Sequence, residues 1–167
     1  GVVTKQVEVA ANDGNDTLNF AAATNSTFTA GAGTDFISGG GALSSSSVFG
    51  GAEGDTLYLS ASTGKIYADA GADSLYITVA SGTVYGGSSA GDTAAGNDTL
   101  GLKGMTGGRI DLGDGTNNMV VSGRVVSGTI VSGAGADTFN TSGVFSGTAT
   151  KAVVGTGAGN DAPPRTC

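Results

Sequence analysis

An acidic turn returns along this chain at close to every twentieth residue. Its forms include Gly31-Ala-Gly-Thr-Asp35-Phe-Ile37, Gly51-Ala-Glu-Gly-Asp55-Thr-Leu57, Asp69-Ala-Gly-Ala-Asp73-Ser-Leu75 and Gly133-Ala-Gly-Ala-Asp137-Thr-Phe139. The equivalent places are Asp16, Asp35, Asp55, Asp73, Asp98, Asn117, Asp137 and Asp161, spaced 19, 20, 18, 25, 19, 20 and 24 residues apart. A period of this size marks a stacked architecture, because a unit so short cannot bury its apolar side alone and must lay it on the next unit.

Each repeat carries a second apolar point: Val9, Phe28, Val48, Ile66, Val84, Ile110, Ile130 and Val154. From six of them the apolar residue beyond the acidic turn follows at a constant 9 positions, as Val9 to Leu18 and Ile66 to Leu75. The exception is Val84 to Leu100, which is 16 because of extra residues around Gly87 to Ala94. The acidic turn is thus held at fixed length, whereas the return path varies. Asp55-Thr-Leu-Tyr-Leu-Ser and Asp73-Ser-Leu-Tyr-Ile-Thr alternate as half-buried strands do, and no segment has helical periodicity. The pattern predicts an all-β fold: a parallel β-solenoid, β-roll-like, of about eight coils of 18–20 residues with two short strands per coil. At ~4.8 Å per coil this is a rod of roughly 35–40 Å.

Composition narrows the function. The net charge of -7 and pI near 4.1 argue against nucleic acid, which wants basic patches. With no His and a single Cys, His-based triads, His-ligated zinc and internal disulfides are excluded. No apolar run approaches the ~18 residues of a membrane-spanning helix. Residues 1–167 read as one solenoid domain, and the Gly1 start suggests a processed product or a fragment of a larger protein.

The Gly-x-Gly-x-Asp-x-apolar turn resembles the nonapeptide of the RTX, or hemolysin-type calcium-binding, repeat family. Asp35, Asp73, Asp137 and Asp161 follow the motif or a near variant, and Asp16, Asp55 and Asp98 match with a changed glycine. The resemblance implies calcium held between coils by turn carbonyls and by the side chains of Asp16, Asp35, Asp55, Asp73, Asp98, Asn117, Asp137 and Asp161. The likeness is degenerate and one-sided. The opposite turns, such as Ser60-Ala-Ser-Thr-Gly64, carry no Asp, and Asn117 replaces one acid. A metal-free alternative is a row of Asp and Asn side chains accepting backbone N–H groups within the turn.

Paired carboxylates such as Asp69/Asp73 and Asp111/Asp114 recur with the repeat, as scaffold residues do, so the chain reads as a non-enzyme. Tyr58, Tyr67, Tyr76 and Tyr85 fall 9 residues apart and are expected to face outward as one aromatic stripe, whose stacking stabilises the sheet face or which serves as a contact for sugar or a neighbouring protein. Val2 to Val9 reads as a strand extending the first coil. Ser88 to Ala95 reads as a bulging loop, Pro163 and Pro164 as the end of stacking, and Cys167 as a free or intermolecular thiol. The expected role is a structural or adhesive module of an extracellular assembly, such as a surface layer, a surface filament, or a phage shell or fibre, self-associating or meeting neighbouring subunits, carbohydrate or a cell surface. The alternative is a calcium-triggered folding or secretion module of a larger secreted protein.

Overall fold

Inward-facing apolar residues at two points per repeat leave the chain one way to exclude water, which is to stack its repeats in register. The computed structural model describes residues 6–60, 63–78, 81–88, 96–142, 152–155 and 157–161. It is all-β among these residues, a parallel β-solenoid with two strands per coil. One sheet stacks Glu8–Asp13, Thr27–Ala32, Ser47–Ala52, Lys65–Ala70, Thr83–Tyr85, Arg109–Asp111, Gly128–Val131 and Ala152–Gly155 in that order. The other stacks Thr17–Phe20, Phe36–Gly39, Thr56–Leu59, Ser74–Ile77, Thr99–Met105, Asn118–Val125 and Thr138–Thr141. The short pair Ala23–Thr24 and Leu43–Ser44 lies at a corner between the first coils.

The register is the one the repeat dictates. Val9, Phe28, Val48, Ile66, Val84, Ile110, Ile130 and Val154 pair in succession through the first sheet. Leu18, Ile37, Leu57, Leu75, Leu100, Met119 and Phe139 do so through the second. Leu57, Ile66, Leu75, Leu100 and Ile110 are fully buried in the single core cluster between the sheets. Each buried Leu or Ile contributes about 1.5–3 kcal/mol. A coil therefore supplies little on its own, and the stack must supply the rest.

Two expectations need correction. The first described strand is Glu8–Asp13, so Gln6 and Val7 fall outside it, and the rest of the expected Val2 to Val9 strand, residues 2–5, lies outside the described residues. The four tyrosines do not form one stripe. Nine residues is half a coil, so alternate tyrosines fall on different sheets. Tyr58 stacks on Tyr76 at 4.4 Å between ring centroids, and Tyr67 on Tyr85 at 5.2 Å. Each ladder starts with a phenylalanine: Phe36 tilts against Tyr58, and Phe49 stacks on Tyr67 at 4.8 Å. Most of Ser88 to Ala95, together with Pro163, Pro164 and Cys167, lies outside the described residues.

Candidate functional site

The recurrence of the acidic turn has a geometric cause. Each turn residue lies directly over its counterpart, and a hydrogen bond runs from every one to the next. The backbone N–H of Asp16 donates to Asp35 Oδ1 at 2.7 Å, Asp35 to Asp55 at 2.8 Å, Asp55 to Asp73 at 2.7 Å and Asp73 to Asp98 at 3.0 Å. Asp98 donates to Asn117 Oδ1 at 2.8 Å, Asn117 to Asp137 at 2.8 Å and Asp137 to Asp161 at 3.1 Å. All eight residues singled out by the sequence are thus brought into one row. Their bonds join successive coils and do not close within a single turn. The longer turn between Val84 and Leu100 still delivers Asp98 to the row, so the constraint falls on the residues beside each acid and not on the length of the turn.

A second set of bonds beside the row points the other way along the stack. Thr34 N donates to Asn15 Oδ1, Thr116 N to Asn97 Oδ1 and Ala134 N to Asp114 Oδ1. The opposite corner carries a shorter serine row: Val7 N donates to Ser26 Oγ and Ser26 N to Ser46 Oγ. Sequence reading missed that corner. Its only signal is a Ser recurring at twenty residues, weak in a chain so rich in Ser, Thr and Gly.

The second oxygen of the acids sets the chemistry. Oδ2 of Asp16, Asp35, Asp55, Asp73, Asp98 and Asp137 is buried without a hydrogen-bond partner. Asp55, Asp73 and Asp98 are each 1% exposed. An ionised carboxylate so placed is costly. Asn117 shows what the position accepts, because its amide Nδ2 donates there to Gly113 O at 3.0 Å and to Ser132 O at 2.9 Å. The corresponding carbonyl in the preceding coils is Ala68 O at Asp55 and Leu112 O at Asp98. A methyl group on Gly50 would lie 2.5 Å from both Asp55 Oδ2 and Ala68 O. Glycine at 50, and likewise at 86 beside Asp98, is the residue that leaves the oxygen room.

Burial without a partner favours the neutral form of these acids. Burial, with the charges of Asp98, Asp55 and Asp69 adding to it, pushes the Asp73 carboxyl up to about 8, although the N–H of Asp55 opposes the rise. Burial raises Asp98 to about 7 and Asp55 to about 6. The protonated acid can then donate its O–H to a carbonyl as the Asn117 amide does.

The same pocket tests the calcium expectation. Calcium takes six to eight oxygens. In the Asn117 place the residues present a single side chain and two carbonyls, while Oδ1 of Asp98 accepts the N–H of Asp73 and Oδ1 of Asp137 that of Asn117. Among the described residues no three His, Cys, Asp or Glu side chains converge on a common point.

Of the paired acids Asp111 and Asp114, Asp114 Oδ1 accepts the N–H of Ala134. Asp111 is bound by Arg109 at 2.6 Å and accepts the N–H of Gly113. Comparison with family models, with curated proteins and with solved structures finds no match for this chain.

Proposed function

We propose that this chain is a non-catalytic structural module of an extracellular assembly, a stiff spacer of the kind that builds a surface layer, a surface filament, or a phage shell or fibre. The observation that carries the reading is the acidic row itself. The acidic side chains are repeated from coil to coil, and from Asp35 onward each accepts a backbone N–H of the coil before it among the described residues. The outermost strands of both sheets support it further. Glu8–Asp13 and Thr17–Phe20 end the stack on one side, and each is paired on one edge only among the described residues. Such edges template the addition of another strand.

The RTX resemblance supports a second reading, a calcium-triggered folding module, and the buried unpartnered Oδ2 atoms are its specific support. The two separate in one experiment. EDTA-treated protein is titrated with calcium while far-UV circular dichroism and light scattering are recorded. The structural reading expects full β signal before calcium is added and particle growth with protein concentration. β signal that appears only on adding calcium would overturn the proton-capped row in favour of a metal-coupled fold. A strict monomer at every concentration would overturn the assembly reading.

A further inference from the structure

The register of the second sheet leaves one place empty on its outer face. Ser38, Tyr58, Tyr76, Gly101 and Val120 occupy one outward column, each paired with the next. Tyr58 and Tyr76 are stacked within 8° of parallel, and the next member of the column has no side chain. Beside this column runs a groove of about 570 Å³, within the ~300–1,000 Å³ usual for ligand sites. It extends from the coil of Ser38 to that of Val120. Four coil steps at ~4.8 Å give a trench about 19 Å long, parallel to the solenoid axis.

We infer that this trench binds a linear, acidic oligosaccharide, with the sugar rings against Tyr58 and Tyr76 and the Gly101 gap, and an anionic substituent at Lys103. Three observations point to this ligand. The lining combines aromatic side chains with hydroxyls, among them Ser60, Thr78 and Ser122, which suits the apolar faces and polar rims of pyranose rings. Its described lining contains Lys103 and no acidic residue, in a chain with 14 Asp and Glu against 7 Lys and Arg, so an anion in the groove meets a cation at close range. The repeat of the wall is of the order of one sugar unit of an extended glycan, so successive units would meet successive coils in like positions. An extended peptide is disfavoured, because the strands flooring the groove are paired to neighbours on both edges. A peptide would find no backbone groups there to join.

This inference is independent of whether the chain assembles, and the test keeps the two apart. Tetragalacturonate and the neutral cellotetraose are titrated calorimetrically into the full chain, and sedimentation is run on the same samples. Tetragalacturonate is expected to bind one per chain and to weaken as salt is raised, as an ammonium–carboxylate contact requires. Cellotetraose is expected to bind roughly tenfold or more weakly. Gly101→Val adds a side chain whose Cβ would meet the edge of the Tyr76 ring at 3.2 Å, with the nearest backbone atom, Leu75 O, at 3.9 Å, and Val favours a strand. This variant should keep its circular dichroism and lose binding. Lys103→Gln should remove most of the salt dependence. Absence of tetragalacturonate binding, or binding unchanged in Gly101→Val, would overturn the inference. So would equal affinity for an unrelated acidic tetrapeptide. None of these results bears on particle size, which tests the structural reading alone.

Discussion

Replacing Asp73 with Asn should make the protein more stable at neutral pH, which is unusual for the loss of a buried side chain. Asp73 titrates near 8 in the folded chain, against 3.8 for an ordinary aspartate. Folding at neutral pH therefore takes up a proton that the unfolded chain does not hold. Across about three pH units at ~1.4 kcal/mol each, that uptake costs about 4 kcal/mol. Asp55 and Asp98 lie in contact with the same charge, so the share relieved by one substitution is about 2–4 kcal/mol. The sign follows from the raised value. The stability of the wild type is complete below about pH 4 and falls as pH rises through about 8. Asn keeps the Oδ1 acceptor for the N–H of Asp55 and supplies the donor that Asn117 already uses. Urea unfolding followed by circular dichroism at about pH 4 and about pH 7 measures the difference. Asp73→Asn should gain about 2–4 kcal/mol at neutral pH and little or nothing in acid. A variant weaker than wild type at neutral pH would refute the reasoning and point to a carboxylate that must be ionised, as a metal ligand must.

The reciprocal change, Asn117→Asp, removes two donors from Gly113 O and Ser132 O and should cost about 1–3 kcal/mol at neutral pH, less in acid, by the same assay. Gly50→Ala forces a methyl against Asp55 Oδ2 and Ala68 O and should lower the melting temperature clearly, whereas Gly40→Ala, whose Cβ has no neighbour closer than 3.9 Å, should leave it near wild type. Leu75→Ala empties a fully buried rung between Leu57 and Leu100 and should cost about 2–5 kcal/mol in urea unfolding. EDTA should leave the thermal unfolding curve unchanged, and a fall in melting temperature restored by calcium would contradict the proton-capped row.

The solenoid was legible in the sequence because its demands are periodic. Val9 to Leu18 and Ile66 to Leu75 are the same distance apart, and that interval alone placed both inward rows in their observed register. The row of acids was legible as a row for the same reason. Its bonding was not. Whether Asp35 answers a donor in its own turn or in the coil below depends on the height of the stack, which spacing does not encode. The tyrosines failed on a related point. A constant interval looks like one column, and only the knowledge that it spans half a coil divides Tyr58 and Tyr76 from Tyr67 and Tyr85. The groove at Gly101 was hidden for a third reason, since its cause is a missing side chain at a register position shifted by the long coil between Asp73 and Asp98.

The acidic row also gives the rod a direction. Every N–H in it points toward the following coil, so the row opens at Asp16 with a carboxylate that takes no N–H from within it. Among the described residues its last member is Asp161, which accepts the N–H of Asp137. The two ends are lock and key to each other and not to themselves. Two rods meeting end to end in mirror fashion would set acceptor against acceptor or donor against donor. Only a head-to-tail meeting continues the pattern, and such a joint leaves a fresh end of each kind exposed. A polymer continued through this row would therefore be polar, with a growing tip unlike its base.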